Sequence, residues 1–413
     1  MTPSPPPSSD QRVLLADADA FYVAVARLVD PNGVGKEPLV IVGGSSNRGV
    51  VTSASYEARQ YGVRSAMPTS QALRLCPKAV VVPVPLDACA TKSREIRDAL
   101  EQFTPIVEPA SIDEFYLDLS GTEHLYRESL EATASRIRAA VLDATGLSVS
   151  IGGGTTRLIA KLAAKEAKRR PGRRGTGVFV VPPGQEAAFV SGLDLADIPG
   201  IGPKFQERLG RYGLRTVQDA LPYDVGVLEG WFGKRTGRWL HDRIRGVGSS
   251  HVEHRPRTKS LSHEETFSED LHEDDDLFRE LLRLSVRVAS DMRRRGYRAR
   301  TVTVKLRDAD FTTRQAGHTL PEPVSADRSI IETAEKLLRR LRRARRTSAR
   351  LLGVSVSQLV KDEAPAQVSL FGPEDESTLE TEKDRTISRM VDDINVKFGR
   401  KGIRRGAEVK RKT

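Results

Sequence analysis

The stretch SIDEFYLDLSG, Ser111 to Gly121, has the apolar content of a strand, yet it carries Asp113 and Glu114 side by side near its start. Side chains alternate between the two faces of a strand, so neighbouring acids point apart and one of them is turned toward the core. A buried carboxylate without a partner is costly. Two readings are open from these residues alone. The pair sits at the exposed mouth of the strand, where charged residues usually lie, or it faces a cation together with an acid from elsewhere in the chain.

Asp17 is the candidate partner. It ends the apolar run of RVLLADADA, after which FYVAVARLVD has helical spacing, with Asp19 well placed as its N-cap. An acid at a strand-to-helix turn can present its side chain and a neighbouring backbone carbonyl to one ligand. By itself Asp17 is an ordinary turn acid. Together with Asp113 and Glu114 it makes a cage of three hard oxygen donors, which suits magnesium and phosphoryl or nucleotidyl transfer.

The composition narrows the setting. A chain of 413 residues exceeds one ordinary core and predicts two to four domains. With 38% hydrophobic and 29% charged residues it has ample solvated surface, and no run nears the roughly 18 apolar residues of a membrane helix. MTPSPPPSSD lacks the apolar core and basic lead of a secretory signal and reads as a disordered arm, residues 1–11. Cys76 and Cys89 cannot build a disulfide framework or a zinc cluster, which points to a reducing cytoplasm. The 66 basic and 55 acidic residues leave a net charge of +11, with basic runs in AKEAKRRPGRRG, DMRRRGYRAR and KLLRRLRRARRTSAR. Each run alone is an ordinary solvated helix face. Three in separate parts of the chain suit a nucleic acid held by several domains.

Strand and helix patterns alternate to about residue 180: EPLVIVGG and GVVTSASY as strands, PTSQALRLCP, TKSREIRDALEQF and SLEATASRIRAAVLDATG as helices, LSVSIGGG as a strand. Short helices broken by Gly and Pro run from LADIPGIGPKFQERLG to about Gly246, and HVEHRPRTKSLSHEE reads as a polar linker. LFRELLRLSVRVASDMRRR, ARTVTVKLRDAD, IIETAEKLLRRLRRA and ARLLGVSVSQLV then predict a compact α+β domain. Beyond about residue 362 only ISRMVDDINVKFG has helical spacing, and a flexible tail is expected.

LLADADAFYVAV, VVTSASYEARQYGVRSAMP, SIDEFYLDLSG and IPGIGPK occur in the order and spacing found in Y-family DNA polymerases. Over nearly its whole length the chain resembles the bacterial DNA polymerase IV branch. The resemblance implies an α+β multidomain, right-hand polymerase with a palm (residues 12–28 and 86–183), small fingers (29–85), a helical thumb built on a helix-hairpin-helix (184–250), a linker (251–258), an α+β little finger (259–361) and a tail with a clamp-binding peptide (362–413). Fingers this short imply a loosely enclosed base pair, hence low fidelity and lesion tolerance.

The same resemblance assigns roles. Asp17, Asp113 and Glu114, with the carbonyl of Ala18, would hold two magnesium ions, for which manganese may substitute. Asp17 and Asp113 would bridge both ions, while Glu114 would serve mainly the one that activates the primer hydroxyl. Tyr22 matches the steric gate that excludes a ribose 2′-hydroxyl; taken bare, Tyr22 or Phe21 is a core aromatic. Tyr56, Arg59 and Ser53 match residues around the triphosphate of a deoxynucleoside triphosphate, as does Lys168, although RRPGRRG is longer and more basic than the usual connection. Gly200, Gly202 and Lys204 of IPGIGPK match a hairpin whose backbone approaches a phosphate of primer-template DNA. Lys305, Arg307 and Arg314 are the expected phosphate contacts of the little finger. Gln367, Leu370 and Phe371 of QVSLF match the peptide that docks on the sliding clamp. A monomer without membrane contact is implied. Ala26, where an acid is common, and Cys89, where a tyrosine is common, depart from the pattern. The two acids further require the chain to bend at Ile112 to Glu114 and to become regular strand from Phe115.

Two rivals belong to other classes. A clamp-bound, non-catalytic scaffold of the same fold would be favoured by the loss of a metal carboxylate, and all three are present. A helix-hairpin-helix repair enzyme centred on IPGIG would leave the first 180 residues unexplained.

Overall fold

The computed structural model describes residues 11–44, 48–168, 175–254, 257–362, 380–399 and 403, so Gln367, Leu370 and Phe371 lie outside the described residues. The chain divides into two compact units, Met1–Pro256 and Arg257–Thr413.

The first unit opens with β1 (Val13–Ala18) and α1 (Phe21–Val29). A small fingers layer follows: β2 (Val40–Gly43), β3 (Val51–Ala54), α2 (Tyr56–Gln60), α3 (Thr69–Leu75) and β4 (Val80–Val82). Its three-stranded sheet, ordered β3-β2-β4, covers a core that includes Ile41, Val51, Ala58 and Ala72. The chain then returns with α4 (Leu86–Glu101), β5 (Val107–Pro109), β6 (Glu114–Asp118), α5 (Glu123–Tyr126), α6 (Leu130–Thr145), β7 (Val149–Gly154), α7 (Arg157–Ala167) and β8 (Val178–Val180).

These strands complete the palm sheet, ordered β5-β6-β1-β7-β8. As the central strand, β1 is covered on both faces, which explains its unbroken apolar start. Leu14 and Ala16 pack on one side with Ile96, Leu100 and Ile137 of α4 and α6; Val13 and Leu15 pack on the other with Tyr116, Ala160 and Ala164. Gly152 lets α7 press against β7, since a Cβ there would lie 1.9 Å from the Ala164 nitrogen.

Past β8 the chain is helical: α8 (Glu186–Ser191), α9 (Pro203–Gly210), α10 (Val217–Ala220), α11 (Val225–Phe232) and α12 (Lys234–Arg243). Leu158 and Leu162 of α7 join Ile198, Ile201, Leu209 and Leu240 in one cluster, so α7 is shared between palm and thumb cores. The expected linker 251–258 is not wholly a loose tether. Val252 is buried against Val13, Leu15 and Tyr116, and the Glu253 amide donates to the Glu108 carboxylate at 2.7 Å. A single valine gives no periodicity, and its partners are distant in sequence.

The second unit holds β9 (Ser260–Leu271), α13 (Asp274–Arg294), β10 (Tyr297–Asp308), β11 (Thr313–Val324), α14 (Asp327–Ala344), β12 (Ala349–Lys361) and α15 (Glu382–Phe398). Its antiparallel sheet is ordered β11-β10-β12-β9. Val302, Val304 and Leu306 face α13 and α14, and Thr303, Lys305 and Arg307 alternate onto the opposite face. Both outer strands escape the sequence patterns for one reason. As edge strands they are largely exposed, so β9 reads as polar linker, and β11 tolerates Pro321 and Pro323.

The flexible tail requires correction over residues 380–399. Glu380, buried, accepts from the backbone amides of Ser325 and Ala326 at 2.7 Å each, next to the start of α14, and pairs with Arg385. Arg293 bridges Asp327 at 2.8 Å and Asp392 of α15 at 2.7 Å. The helix docks through its polar side, which hydrophobic periodicity does not report.

Candidate active site

Antiparallel register brings the acids together: Asp17 lies opposite Glu114, and the Ala18 amide donates to the Asp113 carbonyl at 2.9 Å. The bend expected before Phe115 is present, with regular strand beginning one residue earlier, at Glu114. Ser111 creates it. Its hydroxyl accepts from the Asp113 and Glu114 amides at 3.2 and 3.1 Å and donates to the Asp113 carboxylate at 2.6 Å. The tight turn turns Asp113 out of the alternation, so both acids remain beside Asp17.

Burial pushes the Asp17 carboxyl up to about 6, and the charges of Glu114 and Asp113 add to this, against the lowering effect of Lys168. Two lysines of the α7 segment answer the negative charge: Lys168 holds Asp17, and Lys161 holds Glu114 at 2.7 Å. Lys161 carries no assigned role in the sequence reading; its partner Glu114 lies 47 residues away, at the start of β6.

Asp19 is corrected. Ala20, in the left-handed region at φ 46°, occupies the N-cap position of α1, and no side chain caps the helix. Asp19 instead accepts from the hydroxyls of Ser148 and Ser150 at 2.8 Å each and from Tyr56 at 3.4 Å. These partners lie on β7, its lead-in and the fingers, so local spacing could not reveal them.

Of the two adjacent aromatics, Phe21 is core and Tyr22 is partly exposed, edge-on to it at 5.5 Å between ring centres. Burial, then the charge of Asp113, pushes the Tyr22 hydroxyl up. Ala26 and Cys89, the two departures, are both buried in packing around α1. Arg59 lies over the Tyr56 ring at 5.1 Å and donates through Nε to the Ala54 carbonyl. Burial and the charge of Asp19 raise the Tyr56 hydroxyl. Ser53 is buried in β3.

A cleft of about 650 Å³ runs from Asp17 along Lys161, Lys165 and Lys168 to Gly200 and Gly202. Gly200 has φ 101° and sits on Trp239, where a Cβ would come within 2.8 Å of the indole, so only glycine fits this hairpin. Lys204 is exposed in the first turn of α9.

In the second unit Lys305 and Arg307 lie on the open face of the sheet, bonded to Glu264 and the Thr313 hydroxyl at 2.7 and 2.9 Å. Arg314 does not join them. It pairs with Leu306 in register, faces the helices, and binds buried Asp308 at 2.8 Å and the Leu341 carbonyl. Its expected DNA contact is corrected to a structural one, because strand alternation puts residue 314 on the core side.

Models of the impB/mucB/samB family match residues 16–165 and 258–370 in its main and C-terminal parts, and the thumb-domain model of DNA polymerase iota matches residues 196–248. The chain is 35% identical over 391 residues to DNA polymerase IV of Desulfatibacillum aliphaticivorans, covering 95% of both chains. The chain belongs to the Y-family of DNA polymerases, in the DNA polymerase IV branch. A second polymerase IV relative, from Halorhodospira halophila, is 37% identical over 349 residues, 84% of this chain and 95% of that one. Among solved structures, a Y-family polymerase chimera matches with a TM-score of 0.75 at 26% identity, covering 85% of this chain and 99% of its own. An insertion ternary complex of the Dbh polymerase matches with a TM-score of 0.61 at 25% identity, with the same coverage. The family's palm, fingers, thumb and little finger are therefore the layers described above.

Proposed function

We propose that this Y-family member is a template-directed polymerase of the translesion type, adding deoxynucleotides to a primer 3′-hydroxyl with low fidelity. The observation that carries the mechanism is the convergence of Asp17, Asp113 and Glu114 by strand register and the Ser111 turn. Three mutually repelling carboxylates, of which Asp17 and Glu114 are paired with lysines and Asp113 with the Ser111 hydroxyl, fit divalent ions. Asp17, Asp113 and Glu114, with the Ala18 carbonyl, would hold two magnesium ions, which would supply a lowered pKa for the primer hydroxyl and positive charge against the triphosphate. Lysine stems are long and rotatable, so Lys168 can leave Asp17 for a phosphate when the acids are otherwise neutralised.

Tyr22 closes the floor of the nucleotide site, and its ring excludes a 2′-hydroxyl. Tyr56 and Arg59 hold the triphosphate from the fingers, Ser53 lending its position in β3. Gly200, Gly202 and Lys204 take a DNA backbone phosphate, and Lys305 and Arg307 take others on the open sheet of the little finger. Gln367, Leu370 and Phe371 dock on a sliding clamp. Among the described residues no helix is long and apolar enough to cross a membrane. Primer extension on a recessed template tests the reading: synthesis with magnesium, stopped by chelation and restored by magnesium, is expected, and extension that ignores chelation would overturn it.

A further inference from the structure

The cleft between the palm acids and the thumb hairpin contains one lysine that the polymerase chemistry leaves unused. Lys161 and Lys165 lie four apart on one face of α7, Lys168 follows in extended backbone at the helix C-cap, and the apolar residues of α7 pack into the palm and thumb cores. Lys161 and Lys168 hold catalytic acids. Lys165, between them, pairs with Asp197, which closes the turn Leu195–Asp197 just before the hairpin. Both partners are partly solvated, at 46% and 27% side-chain exposure, and exposed pairs of this kind add little stability.

The cleft's two ends dictate what passes through it. A strand whose 3′ end reacts at Asp17 and whose backbone reaches Gly200 and Gly202 must run along this wall, past Lys165. Lys165 is one helical turn from Lys161, about 6 Å. We propose that Lys165 is a phosphodiester subsite for the primer strand close to its 3′ end, and that Asp197 occupies this subsite until DNA arrives. The primer phosphate replaces the Asp197 carboxylate on Lys165, and the displaced carboxylate returns to solvent. This rests on the polymerase reading.

The two partners should then act in opposite directions, which a merely structural ion pair would not do. Binding of fluorescent primer-template with a recessed 3′ end is measured by anisotropy over a salt series, using the full chain without nucleotide. Lys165→Gln should weaken binding by roughly 3- to 10-fold and reduce the slope of log affinity against log salt by about one. Asp197→Asn should tighten binding by roughly 2- to 5-fold by removing the competitor and a like charge. Thermal melting of both variants checks that the fold is retained. Equal weakening by both variants, or no change in either, overturns the subsite alone. Failure of the wild-type chain to bind primer-template overturns the polymerase reading and the subsite with it.

Discussion

At the scale of single residues, burial disfavours the charged form of Asp17, and the neighbouring charges of Glu114 and Asp113 add to that cost. In the folded, metal-free chain the Asp17 carboxyl titrates at about 6, above its ordinary range near 4, so the folded state holds the proton more tightly than the unfolded one. Stability is therefore lost as pH rises between those values, by on the order of 3 kcal/mol. Asp17→Asn should be more stable than wild type in chelator at pH 7, with an advantage that shrinks toward pH 4. Urea denaturation across that range checks this, and an advantage independent of pH would contradict it. Magnesium should raise the wild-type melting temperature more at pH 7 than at pH 5, since protons and ions compete for Asp17. Tyr22→Ala should raise ribonucleotide insertion relative to deoxynucleotide insertion at least tenfold, read from single-nucleotide incorporation rates. An unchanged ratio would remove Tyr22 from the gate.

At the scale of elements, register and face decide which charges act on a ligand. Arg314 and Lys305 look alike in TVTVKLRDADFTTR, yet alternation sends Arg314 to buried Asp308 and Lys305 to the open face. Arg314→Ala should cost about 2 kcal/mol of stability and leave the salt slope of DNA binding intact. Lys305→Ala and Arg307→Ala should each lower that slope by about one without a comparable loss of stability. Glu380→Ala should cost about 2 kcal/mol and release α15 to hydrogen exchange, because it leaves two amides and Arg385 without their buried acceptor. Unchanged protection of α15 would show that the cap does not hold it. Legibility in the sequence followed the same division. Central strands such as β1 and β10 and amphipathic helices such as α13 carry their burial in their spacing. Edge strands β9 and β11 do not, since one side of their backbone pairs and most of their side chains face water. The convergence of Asp17, Asp113 and Glu114 was legible because Asp17 lies near the end of β1, the other two lie at the entry to β6, and all three sit in the motifs that carry the family resemblance. Asp19 was misassigned and Lys161 passed over because their partners lie 37 to 131 residues away, beyond any local pattern.

At the scale of the whole molecule, a small fingers layer, a palm whose helix α7 also builds the thumb core, and a separate unit whose open sheet face carries Lys305 and Arg307 would, on the proposed function, spread DNA contacts along the chain. This arrangement explains why the net positive charge is spread over several runs and not gathered in one. A polymerase holding DNA mainly through its backbone gains retention from a tether, which is the role proposed for Gln367 to Phe371. Removal of Gln367 to Phe371 should abolish stimulation by the sliding clamp and leave synthesis without the clamp unchanged; loss of both would contradict the peptide's role. The central claim is that Asp17, Asp113 and Glu114 form one metal-dependent catalytic centre. Its most direct test is the rate of primer extension in saturating magnesium for wild type, Asp113→Ala and Glu114→Ala, with DNA binding measured in parallel. The account predicts that each substitution slows extension at least ~1,000-fold, about 4 kcal/mol of transition-state stabilisation, while DNA is still bound. Extension at the wild-type rate by either variant would contradict it.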